Sequence, residues 1–142
     1  IDCSAEGAVA AFEGMTAHAN TGGIVGHSTS SIPIRYCNVS ARILGWENVG
    51  GIAGFSTSEI KYCSFDGGTI TGDIALGGIV GYTTNDVSDC LVGSASNPAI
   101  LSGDDSLRYA GGIVGYSGGI ISESPGLYAD FSSSVSGISK KR

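Results

Sequence analysis

Apolar and polar positions along this chain fall into short runs of β type, and the runs recur. Gly22-Gly23-Ile24-Val25-Gly26 is followed by His27, a polar stretch, then Ile34, Cys37 and Val39. The succession returns after Gly50-Gly51-Ile52-Ala53-Gly54, with Phe55, Ile60, Cys63 and Phe65, and after Gly77-Gly78-Ile79-Val80-Gly81, with Tyr82, Val87, Cys90 and Val92. A fourth copy, Gly111-Gly112-Ile113-Val114-Gly115, leads to Tyr116 and Ile121 and has Ser124 in place of Cys. The copies start 28, 27 and 34 residues apart. Self-similarity at such a period marks a repeat architecture. Cys3 reads as the tail of a further unit.

Each unit predicts two short strands, because β-formers alternate between clusters of Ser and Gly. A third strand is expected at Thr69-Ile70-Thr71 and at its counterpart Arg42-Ile43-Leu44. The one weakly helical spacing, Val9, Phe12 and Thr16 within Ala8–Ala19, reads either as a capping helix or, in the repeat register, as a long loop. Strands this short cannot bury a face alone, but stacked on the next unit each gains a parallel partner about 4.8 Å away. The expected fold is therefore all-β, a parallel β-solenoid (β-helix) of about four to five coils of roughly 27 residues. It forms one domain over 1–142, regular over about 22–124 and irregular over 125–142. Like residues then stack. Ile24, Ile52, Ile79 and Ile113 form one internal column, Cys3, Cys37, Cys63 and Cys90 a second, and Ile34, Ile60, Val87 and Ile121 a third. Glycine is expected at the corners, for positive φ or for close backbone approach.

The arc from the first Gly to the Cys position is 15, 13, 13 and 13 residues, whereas the arc back to the next Gly-Gly is 19, 13, 14 and 21. Insertions thus gather on one side, in Ala8–Asn20 and Ser94–Tyr109, where repeat proteins place partner-facing loops. Pro125 cannot donate to a ladder. Leu127–Val135 reads as an edge strand or cap, and Ser136–Arg142 as a frayed tail with three cations.

Composition narrows the function classes. Gly is 24 of 142 residues, alternating with Ile, Val and Tyr, so it signals turns rather than disorder. The net charge is −6, and Arg35, Arg42, Lys61 and Arg108 are the only cations before the tail. Four dispersed cations build no basic face, so nucleic acid is not an expected partner. No run of 18 apolar residues exists, so this segment is not expected to insert in a membrane. The chain opens at Ile1 without a signal peptide and reads as a processed or excised part of a longer exported parent.

The Gly-Gly-Ile-Val-Gly element with its trailing Ile-x-x-Cys resembles the GLUG-motif repeats of bacterial surface proteins. These occur in large adhesin-like chains and in noncatalytic regions of immunoglobulin A peptidases. The resemblance covers about Gly22 to Ser124 and departs from the pattern at Ala53 and Ser124. It implies a structural repeat module of an extracellular or cell-surface protein and carries over no catalytic residue.

The remaining candidate residues each have a plainer role. Four Cys in an exported chain suggest disulfides, and neighbouring coils lie within bridging distance. Stacked in an inward column, however, they are expected as free buried thiols. A zinc site is disfavoured because a linear column is not tetrahedral. His18 and His27 form no H-E-x-x-H, and His27 takes the slot of Phe55, Tyr82 and Tyr116. Asp104-Asp105 and the pair Asp86 and Asp89 read as solvated loop carboxylates in preference to a calcium site. No cofactor is implied. A glycosidase needs two carboxylates in a cleft, and no acid pair clusters in the regular arc. Thr69-x-Thr71 occurs once, against an ice-binding array. Asn38-Val39-Ser40 is a sequon that matters only in a glycosylating host.

Trp46, Tyr36, Tyr62 and Tyr109 are the candidate ligand contacts, able to stack on sugar rings or to pack against corners. The expected function is a noncatalytic structural or adhesion module of a bacterial surface or secreted protein. Its expected partners are a host or matrix protein or glycan and the flanking domains of a parent chain. The alternatives are a carbohydrate-binding module and a fragment of a polysaccharide-active β-helix enzyme.

Overall fold

In the computed structural model of this chain the described residues are 3–10, 20–94, 96–103, 107–122, 126–127 and 129–131, with 3–10 (Gly7 apart) and 126–131 described as backbone only. They form a parallel β-helix. Four ladders run the length of the stack, and every pairing is parallel. The first joins Asn20–Gly22, Asn48–Gly50, Ala75–Gly77 and Tyr109–Gly111. The second joins Val25–Ser28, Ala53–Ser56, Val80–Thr83 and Val114–Ser117. The third joins Ile34–Arg35, Ile60–Lys61, Val87–Ser88 and Ile121–Ser122.

The fourth ladder begins as continuous eight-residue strands, Cys3–Ala10 on Cys37–Leu44, with Cys3 paired to Cys37. In the next coil it divides into Ser64–Phe65 and Gly68–Thr71. The cause is one extra residue. Val39 and Ile43 are four apart, while their partners Phe65 and Ile70 are five apart. An odd insertion would turn every following side chain to the wrong face. Gly67 and Gly68, at φ +114° and +126°, absorb it. The following coil widens the break with a turn closed by Ser94 and Asn97, then continues as Ala99–Ser102. The elastic arc of the sequence is thus this broken ladder and its exit.

The Gly-Gly-Ile element is the corner between the first and second ladders. The chain turns there without losing its pairing. The Ile52 carbonyl accepts from both Ile24 N–H and Val25 N–H, and the Ile79 carbonyl from Ile52 and Ala53. Glycine serves close approach here rather than positive φ. A Cβ on Gly51 would stand 2.2 Å from the Gly78 carbonyl oxygen and 2.6 Å from the Phe65 ring.

Inward side chains form one apolar core containing the expected columns: Ile52, Ile79 and Ile113, with Ile24 half-buried beside them; Cys37, Cys63 and Cys90; and Ile60 and Val87, with Ile34 half-buried. Ile121 departs from its column, being 45% exposed in the last described coil. An end position has a neighbour coil on one side only, and burial in a stack comes from both sides.

The helical reading of Ala8–Ala19 fails over Ala8–Ala10, which are strand; the remainder lies outside the described residues, as do Ser124, Pro125, the tail and the Cys3 side chain. Past Pro125 the chain rejoins the ladder. Gly126–Leu127 pairs with Leu91–Val92, and Ala129–Phe131 with Ala99–Leu101. No helix long and apolar enough to cross a membrane is found among the described residues.

Candidate functional site

The third ladder delivers each thiol to the interior. Its outward residues are followed by Tyr36, Tyr62 or Asp89, and these adopt φ of 53°, 54° and 52°. A left-handed residue reverses the chain sharply, so the next side chain, the Cys, points inward. Such a conformation costs a residue with a Cβ about 1–2 kcal/mol. Each corner still donates its N–H across the ladder, Tyr36 to the Lys61 carbonyl and Tyr62 to that of Ser88. The thiols donate locally as well, Cys37 to the Arg35 carbonyl, Cys63 to Lys61 and Cys90 to Ser88.

Cys37, Cys63 and Cys90 are buried thiols that form no disulfide with one another. The hydrogen bond between the Cys63 and Cys90 side chains raises Cys63 above the ordinary thiol range, reinforced by burial, and lowers Cys90. Of the pair, Cys63 is the last to ionise. A buried, proton-holding thiol is a poor nucleophile, and among the described residues no three His, Cys, Asp or Glu side chains gather to hold a metal.

Two aromatic columns lie outside. On the second ladder Phe55, Tyr82 and Tyr116 stack coil on coil, with ring centroids 5.3 and 4.6 Å apart, and His27 lies against Phe55 at 4.6 Å with its ring tilted by 51°. His27 Nδ1 lies 3.2 Å from Asn20 Nδ2, and Tyr109 closes the far end edge-on against Tyr116 at 5.1 Å. Inner rings of such a column have both faces covered and present edges to solvent. At the left-handed corner Tyr36 and Tyr62 stack at 5.2 Å and 10°. Lys61 Nζ lies 5.1 Å from the Tyr62 ring centre and 4.0 Å from Asp89 Oδ2.

The four candidate contacts therefore separate. Tyr36 and Tyr62 come together, Tyr109 belongs to the end of the other column, and Trp46 stands apart on the exit from the fourth ladder, its carbonyl accepting from Asp73 N–H. All four are exposed. Asp86 and Asp89 have separate engagements, the first accepting from Ile120 N–H and the second facing Lys61. An apolar cavity of 210 Å³ opens at the first coil, lined by Ile24, Val25, Ser28, Ser30, Ile32, Pro33, Ile34 and Cys37.

Two structural devices were not read from the sequence. One is the left-handed column, because Gly was expected wherever φ is positive. The other is the hydroxyl that follows each outer aromatic. Ser56, Thr83 and Ser117 each accept from the N–H two residues on and donate to that same residue's carbonyl, closing the turn into the third ladder. The recurrence of Ser or Thr directly after the aromatic slot was the available signal.

Comparison with known proteins agrees with this architecture. Residues 47–71 match the family model described as the GLUG motif. That span runs from the strand before one glycine corner, through Tyr62 and Cys63, to the end of the broken ladder. No curated protein matches the sequence. Among solved structures, the chain is similar to a Bacteroides ovatus protein provisionally named an immunoglobulin A1 protease, with TM-score 0.59 and 21% identity over 97% of this chain. The chain spans 47% of that protein's length. At this identity the likeness shows the fold.

Proposed function

We propose, from the GLUG motif and the parallel β-helix that carries it, that this chain is a noncatalytic structural repeat module of a bacterial surface or secreted protein, acting as a spacer that presents the loops of its elastic arc to a host or matrix partner. The observation that carries the reading is the use of the motif itself. Among the described residues its glycines, Ile and Cys are packed into corners and core. The protease name belongs to the B. ovatus protein, of which this chain matches less than half.

The test incubates the purified chain with immunoglobulin A and with uronate and neutral polysaccharides, and in parallel with immobilised matrix proteins and glycans. The reading expects no cleavage, and saturable binding that is lost when the Ser94–Asn97 turn is shortened. Cleaved immunoglobulin or released sugar ends would overturn it. A second reading, a carbohydrate-binding module, is favoured by the exposure of Trp46, Tyr36, Tyr62 and Tyr109. Glycan binding lost on Trp46→Ala would support it over the first.

A further inference from the structure

At the start of the stack the ladders do not end together. On the fourth, Cys3–Ala10 lies one rung beyond Cys37–Leu44. On the other three, Asn20–Gly22, Val25–Ser28 and Ile34–Arg35 are the last rungs among the described residues. This end therefore has a step about 4.8 Å high, with a recess over three ladders. An unpaired strand edge is a template for another strand.

Backbone polarity shows what the recess lacks. At later corners the carbonyls receive N–H groups from the coil before: Ile52 from Ile24 and Val25, Ile79 from Ile52 and Ala53, Glu59 from Ile34, and Asp86 from Ile60. Ile24 and Pro33 hold the equivalent places in the first coil, and no N–H among the described residues donates to either carbonyl. Apolar surface is open at the same place. Ile24, Val25 and Ile34 are half-buried, whereas Ile52, Ala53 and Ile60, which they cover, are fully buried. The 210 Å³ cavity is lined by those three half-buried residues together with Cys37.

We propose that the recess is the docking surface for one further arc of the repeat, running parallel to Gly22–Tyr36 and joined to Cys3. Its corner N–H groups meet the Ile24 and Pro33 carbonyls, and its inward aliphatic side chains fill the cavity. It ends where Cys3 begins, as Tyr36, Tyr62 and Asp89 each lead into a Cys. The nearly fixed arc, 13 residues in Gly50–Tyr62, spans the three open ladders and stops short of the fourth. A second copy of this chain does not fit. Its last coil carries Gly126–Leu127 and Ala129–Phe131 on the fourth ladder, in the place that Cys3–Ala10 already holds. The inference needs only the β-helix and stands apart from the adhesion reading.

The test replaces Ile1-Asp2 of the whole chain with a copy of Asn48–Tyr62 and compares it with a chain extended by the same residues in shuffled order. The extended chain melts about 5 °C or more above the shuffled one. Hydrogen-bond scalar couplings appear from the added copies of Ile52 and Ala53 to the Ile24 carbonyl carbon, and from the added copy of Ile60 to that of Pro33. The unextended chain sediments as a monomer at all concentrations. Equal melting of the two extended chains, or absence of these couplings, overturns the proposal. So does concentration-dependent association of the unextended chain that Ile24→Asp abolishes, because a second copy would then hold the recess. If the graft disturbs the fold, the same arc added as a free peptide must shift the amide resonances of Gly23, Ile24 and Ile34, and no shift there overturns the proposal.

Discussion

Two corners of the same coil solve opposite problems. At the glycine corner φ is ordinary and space is absent, because the neighbouring coil's backbone occupies the volume of a Cβ. At the tyrosine corner φ is left-handed and space is plentiful, because the side chain projects into solvent. The first corner is set by packing and tolerates one residue type. The second is set by conformation and tolerates Tyr, Tyr and Asp in successive coils. Glycine marks crowding in this fold more reliably than it marks a reversed backbone.

Substitutions should separate the two corners by size of effect. Gly51→Ala forces a Cβ against the Gly78 carbonyl and the Phe65 ring, with no flexible side chain to yield. A loss of about 4 kcal/mol or more, or failure to fold, is expected in urea denaturation. Next comes the column that both corners serve. Ile60→Ala, fully buried between coils, should cost about 3 kcal/mol. Ile121→Ala, 45% exposed at the end of the same column, should cost under about 1 kcal/mol. Equal losses would mean that coils do not bury one another. Ser56→Ala leaves the Ser58 N–H without its side-chain acceptor in a buried turn and should cost about 1–2 kcal/mol. The smallest effect belongs to the tyrosine corner. Tyr62→Gly gives up a ring stack of about 1 kcal/mol and recovers a left-handed strain of similar size, for a net change within about 1 kcal/mol. A loss as large as that of Gly51→Ala would erase the distinction between the corners.

The solenoid and its inner columns were legible because Gly, Ile and Cys recur at nearly fixed offsets, and a fixed offset along a coil is a fixed place in space. The third strand at Thr69–Thr71, paired to Ile43 and Leu44, was legible for the same reason. The eight-residue strand of the early coils was not. Whether it stays whole depends on a single extra residue between Phe65 and Ile70, which composition does not display. The left-handed tyrosines were hidden because Tyr carries no signal for positive φ. Ser56 and Thr83 were hidden because a hydroxyl that closes a buried turn resembles any polar loop residue. The exposure of Ile121 followed from its place at the end of the stack rather than from its neighbours in sequence. Of the candidate contacts, the sequence named Tyr36 and Tyr62 but not their stacking on each other, which needs the register of two coils.

The central claim is that echoes in sequence are columns in space, and hydrogen-bond scalar couplings in solution test it residue by residue. The account predicts couplings from Ile52 N to the Ile79 carbonyl carbon, from Gly23 N to that of Gly51, and from Gly78 N to that of Gly112. Partners found within a few residues of each donor, or in unrelated segments, would contradict it.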